Sequence, residues 1–236
     1  MIDAFHIVNH GEIAVRFFTD ERTSRRKGVR LTDELSTLRT TVQWRNLEPE
    51  VEARWRLVEA AWELNLPREA LTVKHDPELL TLFPDKVALR RTSITGSRDA
   101  LNGYQRGKCF YCFADIAVDA GAHELADVDH FFPHVLKRFG IAGPVDGVWN
   151  LVLACRDCNR GVAGKFGRLP ALRYLARLWR RNNHLIGSHH PLRDTLLQQT
   201  GRTEATRHSF FQSTYNEARS VLIHTWSPQY EFEPAF

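Results

Sequence analysis

Two Cys-x-x-Cys pairs, Cys109-Phe-Tyr-Cys112 and Cys155-Arg-Asp-Cys158, constrain this chain more than any other feature, because they account for all four of its cysteines. Each pair can place two thiolates on one tetrahedral ion, and together they make a closed four-sulfur site of the structural zinc kind. Zinc held this way contributes folding free energy directly and lets a small unit keep its shape with little core of its own. The rival reading is redox, since a single Cys-x-x-Cys at a helix start can act as a dithiol. Two pairs, neither set in a thioredoxin-like strand-helix-strand pattern, argue for the metal.

With 236 residues, 43% of them hydrophobic, the chain can bury a core without disulfides, as one compact unit or two small ones. A formal charge of +4 is only mildly basic, so the distribution of charge carries more than its total. No secretory leader and no bilayer-spanning apolar run is read in the sequence, so a cytoplasmic, reducing location with no membrane partner is expected.

The reading is α+β, in three regions: residues 1–100 (a β-hairpin plus helices), 101–169 (the zinc-framed unit) and 170–236 (helical). Alternation over Ile2–Val8 and Ile13–Phe18 predicts a hairpin. Arg25, Arg26 and Lys27 read as a solvated basic run. Residues 31–66 read as helical, with Val51, Trp55, Val58, Ala61 and Trp62 facing the core. A short strand over Ala70–Val73 follows, and Ser97 reads as the N-cap of a helix ending toward Gly107. Leu172, Leu175, Leu178 and Trp179 predict an amphipathic helix over residues 170–182, with Arg173, Arg177, Arg180 and Arg181 on its other faces; two more helices are expected over 192–199 and 204–224. Trp55, Trp62, Trp179 and Trp226 are read as core residues.

Between the cysteine pairs lies Asp127-Val-Asp-His130-Phe-Phe-Pro133, a strand-like alternation ending at Asp129 and His130. Neighbours on a strand point to opposite faces, so Asp129 and His130 reach one phosphate together only if the chain bends at the strand end. Asn150 follows in Trp149-Asn150-Leu151, and Asn159 directly after the last cysteine in Cys158-Asn159-Arg160-Gly161, with Lys165 beyond.

Asp129-His130, then Asn150, then Asn159, inside two cysteine knuckles, resembles the HNH nuclease family in its zinc-containing form, and also the HNH domain of RNA-guided CRISPR nucleases. Lys165 is displaced from that domain's Asn-Arg-Gly-x-Lys spacing. The resemblance implies a ββα-metal core, with two strands over about residues 113–132 and a helix opening near Cys155 to Asn159. It implies His130 as general base, Asp129 and Asn159 as ligands of a catalytic divalent ion, and Asn150 as the residue that braces the loop and orients His130.

The chemistry stands without the family name. Phosphodiester hydrolysis needs a water stripped of its proton and a cation to offset charge on the phosphate. Histidine titrates near neutral pH, and a positioned base contributes about 10²–10⁴-fold. One carboxylate and one amide suit Mg²⁺ or Mn²⁺. Arg156, Arg160, Lys165 and Arg168 form a basic stretch placed to meet DNA phosphates, and the acids crowd the segment before it. His134 reads as a possible ligand on the following helix, though as a helix-surface histidine its default reading is no role, the same default given to His123, His189 and His190. Double-stranded DNA is the expected partner, with a protein partner or a second copy supplied through the flanks. Restriction or anti-phage defence is expected by analogy alone. The rival reading is a zinc-ribbon module that grips nucleic acid or protein without cutting.

Overall fold

The computed structural model describes residues 7–8, 11–12, 15–23, 25, 27–41, 44–63, 73–76, 81–84, 95–119, 121–141, 145–188 and 190–236. The chain divides into two compact units between Glu48 and Pro49.

In the first unit β1 (Ile7–Val8) pairs antiparallel with β2 (Gly11–Glu12), Val8 opposite Gly11. The return strand thus begins earlier than the expected Ile13, which itself lies outside the described residues, as do residues 2–6. A second hairpin pairs β3 (Phe18–Asp20) with β4 (Val29–Leu31), and exposed Arg25 and Lys27 sit in its connection; Arg26 lies outside the described residues. Helix α1 (Asp33–Arg39) carries Asp33 and Glu34 in its first turn and Arg39 in its last, which complements the helix dipole.

Helix α2 (Trp44–Glu63) has Pro49 within it. Its expected core face needs correction. Val51 and Trp55 are 56% and 51% exposed, and the buried positions are Ala53 and Leu57, four apart on a different stripe. Trp55 meets solvent with its indole N–H donating to Glu59 at 2.6 Å. The side chains of Ala61 and Trp62, and residues 70–72 of the expected strand, lie outside the described residues.

The second unit begins within α2 and continues with an antiparallel sheet of β5 (Val73–Asp76), β6 (Thr81–Pro84) and β7 (Thr95–Gly96), in that order. Helix α3 (Ser97–Gln105) follows at once. Ser97 is its first residue, but the buried Ser97 Oγ has no hydrogen-bond partner among the described residues, so it does not cap the helix as expected. Arg106 and Gly107, both at positive φ, turn the chain into the first cysteine pair.

Strand β8 (Asp127–His130) pairs antiparallel with β9 (Leu151–Ala154), His130 opposite Leu151, and α4 (Arg156–Arg160) begins directly afterwards. The expected placement of both strands within residues 113–132 is therefore corrected: outside β8 that segment makes only isolated bridges. The second strand comes from Leu151-Val-Leu-Ala, whose four side chains are all buried, the pattern of a strand covered on both faces. Its outer edge is closed by side chains. Leu153 donates its N–H to Gln105 Oε1 and accepts at its carbonyl from Gln105 Nε2, both at 2.8 Å, so no strand edge is left unpaired there.

Strand β10 (Leu169–Pro170) leads into α5 (Leu172–Gly187), α6 (Arg193–Thr200) and α7 (Glu204–Val221); the last opens on a Thr203/Thr206 capping box. Strand β11 (Thr225–Trp226) returns parallel to β10. The aromatic core between these elements includes Phe110, Tyr111, Phe131, Phe132, Trp149, Tyr174, Phe211, Tyr215 and Trp226. On α5, Leu175 and Leu178 are buried as expected, but Leu172 is exposed. Arg177 and Arg181, expected on outer faces of α5, are buried too. Arg177 donates to the carbonyls of Phe110 and Tyr111 with its guanidinium 4.1 Å from the Phe113 ring, and Arg181 donates to that of Leu151. These cations satisfy buried carbonyls and stack on aromatic faces, which is how a guanidinium tolerates burial. No helix among the described residues is long and apolar enough to cross a membrane.

Candidate functional site

The first cysteine pair lies in a tight turn in which Cys109 N–H donates to the Ala114 carbonyl at 2.8 Å and Phe113, at φ 62°, donates back to Cys109 at 3.1 Å. In the second pair Cys155 is the N-cap of α4, its sulfur accepting from Cys158 N–H. The two turns bring all four Sγ atoms within 4.8 Å of one another, with Cys112 and Cys155 at 3.7 Å. Sulfurs at about 2.3 Å from a tetrahedral zinc stand roughly 3.8 Å apart, so the cluster fits a structural ion such as zinc.

On β8, Asp127 and Asp129 share one face and His130 takes the other. Asp127 accepts from Asn159 Nδ2 at 3.0 Å and from Arg160 Nε at 2.8 Å, which ties α4 to the strand. Asp129 is buried; its Oδ2 accepts from the Tyr111 hydroxyl at 2.6 Å, and its Oδ1 pairs with Lys165 Nζ at 3.2 Å. Burial raises the Asp129 carboxyl above its ordinary range, and Lys165 pulls the other way. The expected ion ligands Asp129 and Asn159 are thus turned to different partners. A divalent cation at Asp129 would meet a buried ammonium, so this pair does not fit a catalytic ion as it stands.

Lys165 needs correction as a phosphate contact. It is fully buried, and Nζ also donates to the carbonyls of His130 at 2.9 Å and Phe166 at 3.2 Å. The Arg168 guanidinium is spent on the carbonyls of Ala163 and Gly164, and Arg160 pairs with Asp127. Arg156 stands exposed on α4.

His130 ends β8 beside two other imidazoles: the ring centroids of His134 and His75 lie 4.0 and 5.6 Å away. Burial holds His130 at a pKa of about 3 and His75 at about 4, so both rings are neutral around pH 7. His134 turns Nδ1 to Asp146 Oδ1 at 3.2 Å, and Lys137 Nζ takes the other oxygen at 2.5 Å. Asn150 is buried under this group. Its Oδ1 accepts from Phe132 N–H at 2.8 Å, and its Nδ2 donates to the carbonyls of Phe132 and Val145, at 2.9 and 2.8 Å. It therefore fixes the chain both just after His130 and just before Asp146.

Two members of this constellation, Asp146 and His75, escaped the sequence reading. His134 reads from the sequence as a possible ligand with a surface histidine as the default, Asp146 is not singled out there, and His75 arrives on β5, which a bridge between Lys74 and Gly147 sets beside the Asp146 loop. The one signal present was the four-residue spacing of His130 and His134 across Pro133. No family model matches the chain, and no curated protein or solved structure matches it either.

Proposed function

We propose that this chain is a metal-dependent endonuclease of the HNH type that hydrolyses phosphodiester bonds in double-stranded DNA, with His130 at the reacting phosphate. The observation that carries the reading is the buried His130 at the end of β8, in a loop pinned by Asn150, on a chain that also carries a four-cysteine cluster. The order strand, strand, helix in β8, β9 and α4 supports it.

A neutral imidazole has one free lone pair. As general base it takes the proton of the attacking water, the role the resemblance gives His130. No residue is assigned to the catalytic ion, since Lys165 and Tyr111 hold the Asp129 carboxylate and Asp127 holds the Asn159 amide. Lys165 and Tyr111 act on the backbone and carboxylate that flank His130, and exposed Arg156 is the cation offered to the DNA backbone. Zinc in the cysteine cluster is structural: a cage of four thiolates leaves no open position for substrate.

The test is nicking or linearisation of supercoiled plasmid by purified protein with Mg²⁺ or Mn²⁺, against His130→Ala and a chelator control. Cleavage by wild type alone supports the reading; DNA binding without cleavage under every ion tried supports the zinc-ribbon alternative. A role in restriction or anti-phage defence is tested by challenging cells that carry wild type or His130→Ala with phage, and equal plaque counts remove it.

A further inference from the structure

Among the described residues a second group able to hold an ion stands apart from the cysteines. One donor atom from each of His130, His134 and Asp146 lies within 4.8 Å of the other two. Ligands at about 2.0–2.2 Å from one ion sit roughly 3–4.4 Å apart, so modest side-chain adjustment closes the set.

Two further features point to an ion. His130 is only 8% exposed, yet its Nε2 has no hydrogen-bond partner among the described residues, an orphaned polar atom that a ligand would satisfy. Lys137 occupies Oδ2 of Asp146 but leaves Oδ1 facing the His134 ring, so one carboxylate oxygen remains directed into the group. The pair Asp129 and Asn159 offers nothing comparable, since Lys165 and Tyr111 hold the carboxylate and Asp127 holds the amide.

We propose that His130, His134 and Asp146 form a binding site for a divalent transition ion of the Co²⁺, Ni²⁺ or Zn²⁺ class, in preference to Mg²⁺. Two imidazole nitrogens and a carboxylate suit these ions, whereas Mg²⁺ favours oxygen and retains its water. Three protein ligands leave positions open for water or a phosphate oxygen. An ion here uses the lone pair of His130, so ion binding and proton uptake exclude each other at that nitrogen. That last consequence rests on the nuclease reading; the site itself does not.

The experiment is titration of Co²⁺ into full-length protein brought to one zinc per chain, on the cysteines, followed by visible absorption and calorimetry, with Mg²⁺ as comparator. His134 and Asp146 side chains are 45% and 53% exposed, so His134→Ala and Asp146→Asn leave the core untouched. The expected result is one Co²⁺ bound per chain without a thiolate charge-transfer band and not displaced by tenfold Mg²⁺. Each of those two variants should weaken it at least tenfold, and Asn159→Ala should not change it. No Co²⁺ uptake, uptake undiminished in both variants, or loss in Asn159→Ala alone overturns the proposal. Because the readout is binding, a protein that takes up Co²⁺ yet never cuts DNA contradicts the nuclease reading and leaves this site standing.

Discussion

Asn150 holds Phe132 by both of its backbone groups, accepting from its N–H and donating to its carbonyl, while a second donated bond reaches Val145. One buried amide thus sets the positions of His130 and Asp146, which lie on separate segments of chain. Replacing it strands three buried backbone groups. Asn150→Ala should lower unfolding free energy by about 3 kcal/mol or more, given about 1–3 kcal/mol for each unsatisfied group and incomplete additivity. Urea unfolding measures this, and a loss below about 1 kcal/mol would show that the amide does not brace the loop.

Lys165 and Asp129 form a buried pair, so removing the cation alone leaves a carboxylate short of a partner. Lys165→Met should cost about 3–5 kcal/mol at neutral pH. The sign with pH follows from Asp129, whose carboxyl is already raised by burial and rises further without Lys165. A raised carboxyl is tolerated when protonated, so the deficit of Lys165→Met should shrink as pH falls. The double variant with Asp129→Asn should recover part of it. A deficit that is constant from pH 7 to pH 4 would contradict the pair.

His75 and His130 are buried as neutral rings, at about 4 and about 3 against about 6.5 in an unfolded chain. Below pH ~6.5 the unfolded chain therefore binds more protons than the folded one. The stability these groups contribute is full above that pH and is lost as pH falls toward 4 and then 3. Unfolding midpoints between pH 7 and pH 5 should drop, and His75→Phe should flatten the slope. An unchanged slope in that variant would show that His75 is not held neutral by the fold.

The cysteine cluster should make folding depend on a tightly held ion. Elemental analysis should find at least one zinc per chain, and stripping the ion held by the cysteines, or Cys158→Ser, should abolish the cooperative thermal transition of the second unit. Zinc-free protein with four freely titrating thiols and an unchanged transition would favour the dithiol reading.

What the sequence made legible was chemistry with fixed local spacing. Paired cysteines, the Asp129-His130 step and the helices over residues 170–224 all follow from neighbours in the chain, and the structure has the cluster and the helices where spacing put them. The misses share a cause. Lys165, Arg177 and Arg181 counted as surface charge, yet each serves buried carbonyls contributed by distant segments, which charge patterning cannot register. His75 joins the histidine group only through pairing of β5 with a loop far along the chain. On α2, Val51 and Trp55 satisfy helical periodicity as well as Ala53 and Leu57 do, and tertiary packing chose the second stripe.

The central claim is that His130 sits at a reacting phosphate. Its most direct test is plasmid cleavage by zinc-loaded protein with each of Mg²⁺, Mn²⁺ and Co²⁺, beside His130→Ala of matched zinc content and thermal stability. The account predicts cleavage by wild type with at least one ion and a loss of at least about 10²-fold in the variant. Equal cleavage by the two proteins would contradict it.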